Sequence, residues 1–398
     1  MAVAFLLKKS YGKNTSVHLY DMADGAGGTW KTNLIGDNKR FSQHSPQVIT
    51  SNYVNAQQLF RDMPKTKDFN SYFDPIESGW LSFLTDKMTW SDLFSFANAF
   101  IHYMANAKSQ KIVTVSTHFK PLLSPKAFDA LHQMTYVLDG VGPDVMTMAE
   151  LMGAVDTGAT STLFLPKTTS QDPQGFIAAW TKSLEYVGVK LHFGVRLNSI
   201  STGCVSCSQG IEIDTTEPNT IVVLALDPIN LVKVLDDIKT DQAIRDNWGP
   251  YEAEVRPKLT VGAYVSLSVT LTFETPIKNL PPECEYGFST EWNIIAVPLA
   301  VGGGRILSCT ILNLKAKSRF LGGKCVSDCS PSEVKQEVWR QLKECAFFPE
   351  PYKTIDIGTH CHWNDDTKEW TFSASSSAQT VLGHIDPFGP NHPRNPNQ

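Results

Sequence analysis

The sequence is short of cysteine and has no long apolar run. Eight cysteines are spread over 398 residues, too sparsely for a disulfide scaffold, so we expect reduced thiols in a cytosol-like compartment. No apolar stretch approaches the roughly 18–20 residues that cross a bilayer. Residues 1–9 are hydrophobic first and basic second, the reverse of a secretory signal. We therefore expect neither a signal peptide nor a transmembrane segment.

An excess of charge is also lacking. Thirty-five Lys and Arg residues against 40 Asp and Glu leave a net charge of −5, which provides no electrostatic attraction to nucleic acid or to an anionic membrane. Hydrophobic residues make up 42% and charged residues 19% of the chain, the composition of a globular protein. Its length predicts two packed domains, or one large α/β domain with a cap.

The first residues predict half of a dinucleotide-binding unit. Residues 2–9 have apolar side chains at helical spacing, and residues 11–14 form a helix stop and a turn. Residues 16–21 alternate like a strand and end in Asp21. A helix followed by a strand with a terminal carboxylate is the second half of a βαβ unit, in which the acid binds a ribose hydroxyl.

The strand and Gly-rich turn that open such a unit do not precede Met1. In a complete unit that turn brings backbone N–H groups onto the pyrophosphate at the helix N-terminus. A sheet without a central parallel strand exposes unpaired backbone groups. We therefore expect a longer parent chain, encoded upstream of Met1, in preference to a protein that lacks the strand and fills the gap with another segment.

The residues after this strand carry a family resemblance. An acid at Asp21, followed six and seven residues later by Gly27 and Gly28, resembles the start of FAD-dependent amine oxidases and phytoene-desaturase-like flavoproteins. The resemblance implies that Asp21 binds the adenosine ribose and that the two glycines approach the FAD diphosphate. At Thr29 the chain departs from the family, which has an arginine there to meet the diphosphate charge.

A second block resembles the same family. Residues 175–184 predict a helix, and residues 188–193 and 195–200 predict two paired strands. By the resemblance, Leu197 is the apolar residue that contacts adenine. Residues 220–228 resemble the buried strand that closes the FAD domain.

The sequence also resembles the amine-oxidoreductase-like Rossmann proteins of large DNA viruses, through residues 44–46, 51–55 and 59–63. The family's second flavin signature, a Gly-rich helix after residue 380, is missing. In its place is a tail rich in Pro and Asn, which we expect to be extended and solvated.

These observations predict an α/β fold, in which an incomplete Rossmann-like FAD-type domain is interleaved with a mixed helical and antiparallel-sheet substrate domain. We assign the FAD-type domain to residues 1–65 and 170–235 and a helical insertion to residues 66–169. A substrate-type domain with an antiparallel sheet spans 236–380, and the tail spans 381–398.

Local signals add detail to the last two regions. The aromatic residues between positions 69 and 103 are interpreted as core rather than as the lining of a substrate cavity. Residues 261–273 and 294–311 predict partner strands, with a hairpin turn at 302–304. Ser330, followed by a proline, predicts the N-cap of a helix that ends at Cys345.

Cysteine and histidine patterns predict no metal site. Cys204 and Cys207 have CxxC spacing, but a lone pair is a weak signal for metal binding, and we interpret it as a polar loop between strands. His360 and His362 alternate along a predicted surface strand, and no third ligand is identifiable in the sequence.

Two functions remain open. The first is a flavin-dependent oxidoreductase resembling amine oxidases, which transfers a hydride from a C–N or C–C bond of an amine or apolar small molecule to FAD. No catalytic residue can be assigned. The second is a non-catalytic structural or virion-associated protein, located in the cytoplasm or the virion, which has protein partners and retains the flavoprotein fold without a cofactor. Because three FAD-binding elements are missing, we expect FAD to be absent or weakly bound in this chain.

Overall fold

A computed structural model describes most of the chain. The described residues are 1–12, 14–30, 33–35, 40–42, 49–76, 84–106, 113–139, 141–160, 162–167, 172, 174–226, 266–277, 280–281, 287, 290–299, 303–346, 348 and 350–372. The predicted tail and the start of the predicted strand at 261–273 lie outside them.

The first half of the chain combines short strands with most of the helices. Its elements are α1 (Ala2–Tyr11), β1 (Val17–Asp21), β2 (Asn33–Ile35), β3 (Arg40–Ser42), β4 (Ile49–Thr50), α2 (Val54–Asp62), β5 (Phe73–Ile76), α3 (Trp90–Ala105), α4 (Val115–Phe119), α5 (Pro125–Asp139), α6 (Met148–Thr160), β6 (Leu163–Pro166) and α7 (Phe176–Tyr186).

The second half is mainly strand. Its elements are β7 (Val189–Phe193), β8 (Leu197–Ser201), β9 (Cys204–Cys207), β10 (Glu212–Asp214), β11 (Leu267–Thr272), β12 (Ile294–Leu299), β13 (Ile306–Ile311), α8 (Pro331–Cys345), β14 (Thr354–Ile357), β15 (Cys361–Asn364) and β16 (Glu369–Phe372). The mixed α/β class predicted from the sequence is confirmed.

A parallel strand pair forms the N-terminal unit. β1 pairs in parallel with β7, from Val17 opposite Val189 to Asp21 opposite Phe193. Because side chains alternate along a strand, Val17 and Val189 face the helices and are buried with Phe5 of α1 and Leu184 of α7. The predicted helix, turn and strand with a terminal acid are confirmed.

The strand that was predicted to pair with β7 belongs to another sheet. β8 pairs with β9, and β9 pairs with β10, all antiparallel. Gly194 has a φ of 72°, a left-handed conformation that favours glycine, and it turns the chain away from β7. The predicted pairing of 188–193 with 195–200 is wrong because β7 takes β1, a strand distant in sequence, as its partner.

The predicted closing strand of the FAD domain is also not formed. Over residues 220–226 the backbone makes no strand, and Ile221 and Val223 have 69% and 50% of their surface exposed. The β-branched residues favour an extended chain. A strand also needs a neighbour to satisfy its backbone hydrogen bonds, and none of the described strands pairs with this segment. Residues 227–228 lie outside the described part.

Four helices, α3 to α6, share one apolar core. Thr89 caps α3 in a reciprocal capping box with Asp92, which satisfies two backbone donors at the helix start. Fully buried members of the core include Phe119, Leu131, Met134, Leu151 and Met152. Within the described residues, no helix combines the length and the apolar character needed to cross a membrane.

The largest sheet that the structure describes is antiparallel and has the strand order β12-β13-β11-β14. Helix α8 packs on it, capped by Ser330 in a capping box with Glu333 and with a proline in its first turn, as predicted. Gly303 and Gly304 have φ of 67° and 74° and lie in the turn between β12 and β13, which confirms the predicted hairpin.

Candidate dinucleotide-binding site

Asp21 lies at the carboxyl end of β1, where parallel sheets bind nucleotides. Its Oδ1 accepts a hydrogen bond from the backbone N–H of Ala23 at 2.8 Å, which fixes the carboxylate in the turn after the strand. Its backbone C=O accepts from the N–H of Val195 at 2.9 Å, and Ala23 C=O accepts from Gly194 at 2.8 Å. The turn after β1 is thus joined to the chain leaving β7.

The start of α1 lies beside this carboxylate. Burial lowers the pKa of the Met1 ammonium, and the nearby Asp21 carboxylate partly offsets that shift. The first turn of α1 has no side-chain cap, so its N–H groups remain available to an anion, which the positive end of the helix dipole also attracts. The Asp21 carboxylate and the α1 N-terminus are therefore within electrostatic reach of each other.

The two predicted glycines follow in an open loop. Gly27 and Gly28 have φ of 131° and 54°, values that favour glycine over other residues. Nothing lies within 4 Å of the position that a Cβ of Gly28 would occupy, so its backbone is accessible. Thr29 follows in a short 3₁₀ turn, Gly28–Trp30.

Aromatic packing anchors this loop. The Trp30 ring packs edge-on against Phe73 and Phe176, with centroids 6.4 and 5.4 Å apart. Such edge-to-face pairs stabilise one ring orientation. The end of the glycine loop is therefore held against the core that α7 and β5 share.

Leu197 lies at the start of β8, two residues after the Val195 that bonds to Asp21. It is half-buried and packs with Tyr20 against a small cluster that includes Ile200 and Val205. The hydrogen bonds to the turn after β1 bring this segment alongside the carboxyl end of that strand. Because Leu197 packs with Tyr20, it lies on the strand face opposite to that of the Asp21 side chain, and its predicted contact with adenine stays a prediction.

Sequence reasoning missed an aromatic cluster on the sheet face opposite α1. His18 Nδ1 and His192 Nε2 are 3.0 Å apart, and the two ring planes differ by 1°. The ring of Tyr20 stacks on His192, with centroids 4.5 Å apart. Strand alternation already places His18 and Tyr20 on one face, but their contact with His192 depends on the parallel register of two strands distant in sequence.

The cluster favours uncharged rings. Burial lowers the pKa of His18, and the charges of Lys190 and His192 lower it further. Burial raises the pKa of Tyr20, with a smaller contribution from Cys207. Both shifts favour the uncharged forms of His18 and Tyr20, which precede Asp21 along the strand.

The cysteine and histidine pairs are placed differently from the sequence interpretation. Cys204 and Cys207 lie on strand β9, not in a loop, and residues three apart on a strand face opposite sides. His360 is buried, with its Nε2 3.3 Å from the carbonyl of Ser266, so the predicted surface position is wrong for it. Among the described residues, no three His, Cys, Asp or Glu side chains are grouped to hold a metal.

Comparisons with known proteins support the fold. No protein-family model and no curated protein matches the sequence. The structure is similar to that of an oxidoreductase from Methanosarcina mazei, with a TM-score of 0.57 at 12% identity over 99% of this chain and 90% of that one. It is also similar to the PF1083 protein of Pyrococcus furiosus, with a TM-score of 0.52 at 12% identity over 96% and 93% of the two chains.

The chain shares the fold of these two proteins. At 12% identity the likeness extends to the fold and not to a particular reaction.

Proposed function

We propose that the chain is a flavin-type oxidoreductase, with the adenosine end of the dinucleotide at the carboxyl end of β1. The observation that carries this proposal is the position of Asp21, at the end of a parallel strand and beside the uncapped N-terminus of α1. The fold of the Methanosarcina mazei oxidoreductase, matched over 99% of this chain, supports the same class.

The residues around Asp21 fit the adenosine half of FAD. One oxygen of Asp21 is held by Ala23, and the other oxygen is suited to accept a ribose hydroxyl. The open backbone at Gly28 and the first turn of α1 are suited to the diphosphate, and Leu197 to the adenine. Bound flavin would accept a hydride, which by resemblance comes from the C–N or C–C bond of an amine or apolar substrate.

The charge of the diphosphate limits the affinity. The family's arginine is replaced by Thr29, so a charge-assisted hydrogen bond to phosphate, which is stronger than a neutral one, is lost. Helix dipoles offer about half an elementary charge, less than an arginine. We expect FAD to bind weakly, and mainly through its adenosine.

A second candidate is a non-catalytic protein, structural or virion-associated, that keeps this fold without a cofactor. Two observations favour it: Thr29 replaces the phosphate-binding arginine, and residues 220–226 do not form the strand that closes the family's FAD domain. In this case the region around Asp21 binds no ligand, and the partners are other proteins.

A flavin titration separates the two candidates. FAD and ADP-ribose are titrated into the wild type, Asp21→Ala, and the control Glu212→Ala, which removes an exposed carboxylate from β10. We expect Asp21→Ala to weaken binding of both ligands by about 1.5–3 kcal/mol, which is roughly 10- to 150-fold, while the control is unchanged. Equal affinity in wild type and Asp21→Ala would remove Asp21 from the site, and a wild type that binds neither ligand would support the non-catalytic candidate.

A further inference from the structure

Helix α3 has a second apolar face that points to solvent. Its inner face, with Phe96 and Ala99, is buried in the helical core. On the outer face, four large apolar side chains have most of their surface exposed: Trp90 88%, Phe94 75%, Ile101 65% and Met104 64%. The predicted core role of the aromatic residues is therefore wrong for Trp90 and Phe94, although Phe73 and Phe96 confirm it.

The outer face has the spacing of a coiled-coil seam. With exposed Ala97 in the centre, the five residues follow one another at intervals of four, three, four and three positions. Apolar residues at this alternation repeat every 3.5 residues, which keeps them on one line facing a partner helix. Helix α3 packs into the helical core through its inner face alone. The apolar pattern on its outer face therefore indicates another helix as the partner. We name these five residues the α3 stripe.

The order of side-chain sizes fits a second copy of the same helix. In an antiparallel pair with its two-fold axis at Ala97, Trp90 lies opposite Met104 of the other copy, and Phe94 lies within one residue of the position opposite its Ile101. Large aromatic side chains at one end thus meet flexible aliphatic ones from the other end. The small side chain on the axis allows the two helices to approach closely, and an isologous contact of this kind closes a dimer.

The charges of α3 support the same partner. The helix contains no Lys, Arg or Glu, and its one carboxylate, Asp92, is buried and bonded to Thr89 and Ser124. Of the exposed residues that flank the stripe, Ser91 and Asn98 are uncharged, and His102 in the last turn is the one basic side chain of the helix. A charge near a two-fold axis faces its own copy and repels it, whereas a surface for an acidic partner or an anionic membrane carries basic residues.

The exposed apolar area of the α3 stripe is large for a monomeric protein. Trp90 and Phe94 together expose roughly 300 Å² of side chain, before the aliphatic residues are added. Monomeric proteins rarely expose a contiguous apolar patch larger than a few hundred Å², and one side of a stable interface buries about 800 Å². The stripe therefore supplies the apolar centre of an interface whose rim is the polar surface around it.

We propose that the α3 stripe is the two-fold interface of a homodimer in which two copies of α3 pack antiparallel. Analytical ultracentrifugation of the full chain tests this proposal. The wild type should sediment at twice the chain mass, and Phe94→Lys combined with Ile101→Lys should sediment at the chain mass with an unchanged circular dichroism spectrum. The control Val54→Lys replaces an equally exposed apolar residue, 65% exposed on α2, and should stay dimeric.

Cysteine cross-linking tests the direction of the pair. Under copper-phenanthroline oxidation, Ala97→Cys should give a covalent dimer, and mixed Trp90→Cys and Met104→Cys chains should cross-link to each other more than either does to itself. The wild type shows how much cross-linking arises from its natural cysteines. A monomeric wild type, a double lysine variant that remains dimeric, or self-linking of Trp90→Cys alone would overturn the proposal.

Discussion

The parallel pair β1–β7 and the antiparallel sheet β11–β14 differ in how completely each is enclosed. In the antiparallel sheet, Leu267, Val269 and Leu271 are fully buried beneath α8, and Ser268 and Thr270 on the opposite face are buried too. In the parallel pair, one face packs on α1 and α7, whereas the other exposes His18 and Lys190. The antiparallel sheet is therefore buried on both faces, whereas the parallel pair is buried on one face only.

The largest expected effect is the stability lost when a leucine is truncated in each of the two regions. Leu271→Ala in the antiparallel sheet should lower the free energy of unfolding by about 2–5 kcal/mol, since it leaves a cavity in a closed core. Leu191→Ala on half-buried β7 should cost only about 1–2 kcal/mol. Urea unfolding of both variants provides the comparison, and equal losses would contradict the claim that the two regions differ in packing.

A buried ion pair in the enclosed antiparallel region gives the second-largest expected effect on stability. Glu337 of α8 is 2% exposed and accepts hydrogen bonds from Arg340 Nε at 2.7 Å and Nη2 at 2.6 Å, from Gln341 at 2.8 Å and from Ser318 at 2.8 Å. Arg340→Met leaves this carboxylate without its cation and should cost about 2–3 kcal/mol. The control Arg319→Met removes a 64% exposed cation and should cost less than about 1 kcal/mol.

The same variant changes the response to acid. Burial alone raises the pKa of Glu337, but the hydrogen bonds from Arg340, Gln341 and Ser318 outweigh it and hold the pKa below its usual range. Its stabilisation is complete above the unfolded pKa and is lost as pH falls toward the folded one. Removing Arg340 brings the folded pKa of Glu337 closer to its unfolded value, so unfolding curves below pH 5 should show Arg340→Met losing less stability than the wild type as the pH falls. Coincident pH profiles would mean that Arg340 does not set this pKa.

Local sequence signals were sufficient for the elements that depend on neighbours along the chain. The helical spacing of residues 2–9, the acid that ends β1 at Asp21, and the cap at Ser330 each act over one or two turns, and the structure confirms all three. Asp21, Gly27 and Gly28 belong to one short segment, so the same local signals locate them after β1, and their role in binding a cofactor stays a prediction.

Long-range partners could not be predicted in this way. β1 pairs with β7 across more than 160 residues, and nothing in residues 188–200 favours that pairing over a local hairpin. Residues 220–226 have the composition of a strand but find no neighbour among the described strands. The outer face of α3 is apolar at the same helical spacing as its inner face, so composition alone assigned both faces to the core.

The smallest expected effect concerns the histidine pair of the open region. Because the folded state lowers the pKa of His18, the unfolded chain binds its proton more readily, and the stability contribution is complete above the unfolded pKa near 6.5. It declines as pH falls toward the folded value. Protonation of His18 puts a positive charge beside the His192 ring, 3.0 Å away, and beside Lys190 on the same sheet face, and the positive charges repel each other. Exposure screens them, so the loss should be at most about 1 kcal/mol.

Hydrogen exchange measured at pH 7.5 and at pH 5.5 shows which strands lose stability in acid. In wild type, the amides of β1 and β7 should exchange faster at the lower pH, after correction for intrinsic rates, while those of β11 and β13 should not change. Burial also lowers the pKa of His118, His132 and His360, so the informative quantity is the difference between wild type and His18→Gln. That variant keeps a polar side chain but cannot gain a charge, so its β1 and β7 amides should respond less to acid. An identical response in both proteins would show that the histidine pair does not control this end of the sheet, and the open region would then owe its lower stability to packing alone.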